Sequence, residues 1–250
     1  MTEAMSLEKA RLYQKNRLPY PSQMADDLLK RVGDTAVAAD IGAGTGQLAR
    51  LFADKCSQVF AVEPDPAMRK VAAEVPRNFP NIMIVDAFAE QIPLPEDSID
   101  LIVIGNAFHR FKVEAIAELL RILKPSGWIA VISYTFTNTA FSEMLFSKLG
   151  QLESLASRSA QNWHKVPVES LFGDNAIHAL NYAQFLNEDW EVFWGSARSG
   201  IEAPEPDDED FTRFMAINQE VFKKFSFDGH IRIDYETRVL FGQPKVKPHS

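Results

Sequence analysis

VAADIGAGTGQLARLF, Val37 to Phe52, is the stretch whose reading decides the fold of this chain. An apolar run, Val37 to Ala39, ends in Asp40. Glycines follow at alternate positions, Gly42, Gly44 and Gly46, and an apolar helical pattern then begins with Leu48, Leu51 and Phe52. A buried strand, a tight glycine turn and a helix make the first half of a nucleotide-binding βαβ unit. Glycine suits the turn because it tolerates positive φ and lets a ligand lie on bare backbone, while the helix start beyond it offers unpaired N–H groups and positive partial charge. Spacing then narrows the ligand. The dinucleotide fingerprint is G-x-G-x-x-G, and Gln47 occupies the position of its third glycine. The spacing present is G-x-G-x-G behind an acid, an arrangement that repels a pyrophosphate and attracts a sulfonium or ammonium ligand.

The string Asp40 to Gly46, D-x-G-x-G-x-G, resembles the first motif of class I S-adenosylmethionine (SAM)-dependent methyltransferases of the small-molecule type (the type 11 and trans-aconitate methyltransferase-like group). Further stations agree with it. Gln58 to Val62 (QVFAV) reads as a second strand ending in Glu63, about 20 residues past the glycines, where these folds set an acid on the ribose hydroxyls. Asp65 reads as a helix cap with Pro66 in the first turn, and AVEPDPAMR around it is very like the same group. Asn81 to Val85 is a third strand, followed by DAFAEQIPLPEDS, similar to the family's adenine loop. Aligned on Pro93 and Pro95, Ala89 and Glu90 fall on its A-E pair, and Phe88 falls where many relatives carry an aspartate for the adenine amino group. Ile99 to Ile104 (IDLIVI) is the unbroken β-branched run of a strand buried on both faces. It leads into GNAFHRF, similar to the family's Q-A-F-H-W-F, with Arg110 in place of the tryptophan. LKPSGW matches the corner before strand Ile129 to Ser133, with Ser126 in place of a glycine.

At the N-terminal end, Glu3 to Asn16 suggests an amphipathic helix with Met5, Leu12 and Tyr13 on its apolar side, and Ser22 is the expected cap of a second helix. The stretch from Tyr13 to Pro21 resembles the family's Y…R-P-x-Y-P arm, which closes over the methionine end of SAM. The resemblance implies cofactor contacts from Tyr13, Arg17 (toward the SAM carboxylate), Asp40, Gly42, Ala43, Gly44, Gly46, Glu63, Pro64, Met68, Phe88, Ala89 and Asn106. Three of these have a second reading: Glu63 binds the ribose or is an ordinary solvated acid at a strand end, Met68 touches adenine or packs in the core, and the Tyr13 to Pro21 arm contacts SAM or merely links helices. His109 is the candidate catalytic residue, either a proton acceptor or an anchor for its loop.

The expected fold is α/β, a Rossmann-like seven-stranded, mostly parallel sheet with helices on both faces, its last strand antiparallel, plus a helical lid. Residues 1–34 form the arm, 35–135 and 228–244 the SAM-binding core, and 136–227 the lid and acceptor-specificity region with strand six. That region is dense in Trp163, Phe172, Phe185, Trp190, Phe193 and Trp194. The terminal stretch His230 to Gly242 alternates like an antiparallel strand. A net charge of −8 over 250 residues disfavours a nucleic-acid partner. The lone Cys56 allows no internal disulfide, and no Cys/His cluster has metal spacing. No apolar run approaches the ~20 residues of a membrane span, and the charged N-terminal stretch reads as no signal peptide, so a cytoplasmic protein, monomer or homodimer, is expected. The function implied is methyl transfer from SAM to a small organic acceptor, apolar or aromatic in part. The alternatives are a non-enzymatic SAM-binding or carrier-interacting protein and an NAD-dependent oxidoreductase.

Overall fold

The computed structural model describes residues 5–33, 36–74, 78–162 and 166–244. Trp163 of the aromatic-rich region lies outside them. Strands β1 (Val37–Ile41), β2 (Gln58–Val62), β3 (Ile82–Val85), β4 (Ile99–Gly105), β5 (Leu123–Phe136), β6 (His178–Glu188) and β8 (His230–Gly242) form one sheet in the order β3-β2-β1-β4-β5-β8-β6. A two-residue strand, β7 (Ser226–Phe227), pairs antiparallel with β8 in addition to the seven expected. β2, β1, β4 and β5 pair parallel, with Asp40 opposite Ala61 on one side and Val103 on the other. The chain divides into two compact units, one holding residues 19–133, 164–182 and 237–250, the other 1–18, 134–163 and 183–236. The stretch 164–182, which the sequence reading groups with the lid, clusters with the sheet unit.

The sheet unit has a core on each face. In β4 the side chains alternate as strand geometry requires. Leu101 and Val103 join Met24, Leu28, Leu48 and Phe52 from helices α2 (Ser22–Val32) and α3 (Gln47–Ala53). Ile102 and Ile104 join Leu119 and Ile122 of α5 (Glu114–Ile122) and the buried Phe172. That double coverage explains the unbroken apolar run from Leu101 to Ile104. β5 begins six residues earlier than its apolar run suggests: Ile99 pairs with Leu123 and Leu101 with Trp128, so the Lys124–Gly127 stretch bulges out of register. Ser22 does not cap α2. Pro21 holds the cap position and no side chain bonds the first turn. Asp65 does cap α4 (Pro66–Ala72), its Oδ1 accepting from Ala67 N and Met68 N at 2.9 Å each.

The second unit contains α1 (Leu7–Asn16), α6 (Thr139–Leu149), α7 (Glu153–Asn162), α8 (Trp190–Ser199) and α9 (Phe211–Phe225). α1 does not bury the face expected of it. Lys9, Ala10 and Asn16 are buried, while Met5, Leu12 and Tyr13 are half-exposed. The reason lies in α8 and the turn after it. Asn16 lies so close to Gly195 that a Cβ there would stand 2.7 Å from its Nδ2. Lys9 Nζ donates to the Ala203 carbonyl at 2.6 Å, and burial lowers its pKa. Two of the dense aromatics are core, Phe193 with Phe141 in one cluster and Phe172 in the sheet unit; Trp190 and Trp194 are half-buried and Phe185 is exposed. Trp190 and Trp194 stack with centroids 5.8 Å apart.

Candidate functional site

The three glycines of the turn adopt φ of +72°, +55° and +76° at Gly42, Gly44 and Gly46, the region that side-chain-bearing residues avoid. Their N–H groups fix the turn to its surroundings. Gly42 N and Ala43 N both donate to the Val62 carbonyl at 2.9 and 3.0 Å, and Gly46 N to the Ala43 carbonyl at 2.9 Å. Gly46 precedes α3 and has no side chain to cap it. Asp40 supplies the missing acceptor from β1, its Oδ2 taking Ala49 N at 3.0 Å. The acid before the glycines is thus a remote helix cap as well as an ionisable group. Its other oxygen accepts nothing among the described residues.

Glu63, at the end of β2, is built the same way. Oε2 accepts from Gly44 N at 2.8 Å and Oε1 from Asp65 N at 2.9 Å, so each oxygen braces one wall of the cleft and keeps a lone pair for a ligand. Both acids are buried, Asp40 to 1% and Glu63 to 8% exposure. Burial pushes Asp40 up to about 8, Glu63 adding to the rise and the Ala49 N–H opposing it. Burial also raises Glu63, against the pull of its two backbone donors. Two buried carboxyls at the ends of adjacent strands, beside the crevice where the strand order reverses between β1 and β4, favour a cationic ligand that carries a diol. SAM is such a ligand.

Other residues join the same place. Ala107, in the loop after β4, lies so near Gly42 that a Cβ on the glycine would stand 2.6 Å from its own. Gly42→Ala therefore meets both a clash and left-handed backbone, and is expected to cost about 2–3 kcal/mol, a fall in melting temperature of roughly 5–10 °C, read by a thermal melt. Asn106 has φ +52° and donates from Nδ2 to the Tyr20 hydroxyl at 2.9 Å. Tyr20 reaches it across Gly105, where a Cβ would lie 2.6 Å from that hydroxyl. The P-x-Y-P pattern carried Tyr20, yet it was not among the expected contacts. Thr45 was missed too: its hydroxyl is buried between two glycines and has no partner among the described residues. A cradle closed to any Cβ at Gly42, an orphaned hydroxyl and two buried acids fit SAM.

The remaining candidates separate. Met68 is 3% exposed, packed as core. Phe88 is 66% exposed and Ala89 is buried beside it in sequence. Asp86 is held by Arg69 at 2.7 Å, and the Pro64 carbonyl accepts from Arg69 as well. His109 lies in a short 3-10 helix, Phe108–Arg110, and lines a cavity of about 220 Å³ with Asn106, Ser133, Val166, Val168 and Leu240 among its walls. Tyr13 and Arg17 belong to the other unit, where the Arg17 guanidinium lies over the rings of Tyr13 and Tyr134 at 5.0 and 4.9 Å. No group of three or more His, Cys, Asp or Glu fit to hold a metal occurs among the described residues, nor any helix long and apolar enough to cross a membrane.

Fold and cleft together define a Rossmann-like protein with a cationic nucleoside site, and comparison with known proteins makes the class specific. Residues 39–131 match the methyltransferase domain family of type 11. An uncharacterized methyltransferase-like protein of Schizosaccharomyces pombe is 31% identical over 177 residues, 69% of this chain and 67% of that one. A second S. pombe protein, an uncharacterized methyltransferase, is 35% identical over 124 residues, 48% of each chain. The chain spans about half the length of several of the curated relatives it matches. The YcgJ protein of Bacillus subtilis shares the fold at TM-score 0.57 and 19% identity, over 90% of this chain and 99% of that one. A protein of Anaeromyxobacter dehalogenans assigned as a type II methyltransferase does so at TM-score 0.62 and 19% identity, over 93% and 99%. This chain belongs to the SAM-dependent methyltransferase family.

Proposed function

We propose that the protein transfers the methyl group of SAM to a small organic acceptor. The observation that carries the reading is the pair Asp40 and Glu63, two buried carboxyls braced against a turn of three positive-φ glycines. Bound SAM supplies a methyl group on a sulfonium, an electrophile that needs alignment and the exclusion of water more than acid–base help. Asp40 balances the positive charge, and Glu63 accepts from the ribose hydroxyls while holding Gly44 in place. Thr45 offers its hydroxyl, and the Tyr20–Asn106 pair fixes the loop that would hold the methionine end. The apolar side chains beside His109, Val131, Val166, Val168 and Leu240, support an acceptor that is apolar in part.

His109 is placed to take a proton at a ring nitrogen when the acceptor is a hydroxyl or a carbon acid. Under that role, His109→Gln lowers kcat at least tenfold and removes the acidic limb of its pH profile. An unaltered pH profile assigns His109 to anchoring its loop. The reading as a whole is tested by calorimetric titration with SAM and, separately, with NAD. Micromolar binding of SAM unmatched by NAD is expected, followed by acceptor screening for a product heavier by one methyl. Binding of NAD and not SAM overturns the reading.

A further inference from the structure

The helical unit holds a cavity of its own, about 170 Å³, lined by Phe136, Phe141, Leu145, Phe193 and Ile233 on its apolar sides and by Arg17, Ser196 and Asn218 among its polar groups. Its aromatic walls meet edge to face. Phe141 stands at 87° to Phe136 and at 66° to Phe193, with centroids 5.6 and 6.3 Å apart. Rings set this way bound a slot whose walls suit another flat ring. The volume is below the ~300–1,000 Å³ of sites for drug-sized ligands, which limits the occupant to one ring.

The polar groups say what that ring must carry. Arg17 is the cation of the lining, and none of the described lining residues is acidic. Its guanidinium lies over Tyr13 and Tyr134. Stacking engages the faces of a guanidinium, whereas its N–H donors lie in the plane, where they match a carboxylate two-on-two. Asn218 is 1% exposed, on α9, and its Nδ2 donates to the Phe214 carbonyl at 2.8 Å. The carboxamide oxygen accepts no hydrogen bond among the described residues, although it belongs to a buried residue of the cavity wall. With Nδ2 committed to Phe214, the carboxamide oxygen is the group Asn218 offers at the cavity wall, an acceptor that suits a ligand bringing a donor.

We propose that this cavity is a binding site for a single-ring aromatic carboxylate bearing a hydroxyl or amino donor: the carboxylate on Arg17, the ring among Phe136, Phe141 and Phe193, and the donor on Asn218. The site goes beyond the methyl-transfer reading and does not depend on it. It also gives Arg17 a different ligand from the SAM carboxylate expected from sequence.

The test is calorimetry on the full chain with 4-hydroxybenzoate, benzoate and benzamide, without SAM. Expected is sub-millimolar binding of 4-hydroxybenzoate, several-fold weaker binding of benzoate and at least tenfold weaker binding of benzamide, which keeps the shape and lacks the charge. Arg17→Gln abolishes the preference for acid over amide, and Asn218→Leu abolishes that for the hydroxylated acid. Equal binding of acid and amide by the unaltered protein overturns the proposal whatever the variants do, as does failure of all three probes to bind. A tenfold loss of SAM affinity in Arg17→Gln with acid binding unchanged also overturns it and returns Arg17 to the cofactor. Failure of SAM to bind while the acids do sinks the methyltransferase reading alone.

Discussion

Glu63→Gln is expected to raise the Kd for SAM about a hundredfold, although the substitution changes one atom. The wild-type carboxylate uses one lone pair on each oxygen to hold the cleft, Oε2 on Gly44 N and Oε1 on Asp65 N. The remaining lone pairs are those a ribose diol would meet under the proposed role. A carboxamide has one oxygen and one NH₂, so whichever way it turns, a donor faces one of two fixed backbone donors. The turn loses a brace and the diol loses an acceptor. Hydrogen bonds to charged groups are worth about 1.5–3 kcal/mol, and about 2.8 kcal/mol is a factor of a hundred in affinity. The same variant leaves one backbone N–H unmatched, a stability cost of about 1–3 kcal/mol, so a melting curve accompanies the titration. A Kd within threefold of wild type in a folded variant removes Glu63 from the cofactor site.

Of the two tasks proposed for Glu63, the ligand role is the one the chain suggests and the bracing of the cleft is the one it hides. The residue's distance from the glycines and its place at the end of QVFAV mark it as a ligand group, because strand, turn and helix have fixed lengths and local signals. Its bonds to Gly44 and Asp65 depend on where β2 ends relative to the turn, which is a tertiary fact. Asp65 shows the purely local case: cap, proline and helix follow one another in sequence, and the structure repeats them. α1 shows the opposite. Its buried face is set by α8 and the 201–205 turn, and a lysine is buried there as donor to the Ile201 and Ala203 carbonyls, 192 and 194 positions away. No periodicity in Leu7–Asn16 announces that. Thr45 was missed because a hydroxyl between glycines reads as turn chemistry until its burial without a partner is seen. The Arg17–Asn218 cavity was illegible for the same reason, these two of its polar groups standing 201 positions apart on α9 and the end of α1.

Affinity for SAM is expected to strengthen about twentyfold between pH 6 and 7.5, and Asp40 is the cause. Its carboxyl is fully enclosed and pushed up to about 8, chiefly by burial. The unliganded protein at pH 6 therefore carries Asp40 ionised in about 1% of molecules, and at pH 7.5 in about a quarter. A bound sulfonium and ammonium select the ionised form, so the lower the pH, the more of the binding free energy goes to removing that proton. The window stops at pH 7.5 because an α-amino group itself loses its proton at about 7.7–8.0, which reverses the trend. In Asp40→Asn the slope over this window is expected to vanish and the affinity at pH 7.5 to fall. Stability moves the other way. A carboxyl with a raised folded pKa contributes stability that is fully present below its unfolded value near 4 and is lost as pH rises through 8. Asp40→Asn has nothing to lose there, since its amide oxygen still accepts from Ala49 N. At pH 8.5 the ligand-free variant is thus expected to melt above the wild type while binding SAM more weakly. A residue that only capped α3 would lower both quantities together, and a melting temperature below wild type at pH 8.5 would falsify the assignment of that buried charge to the cofactor.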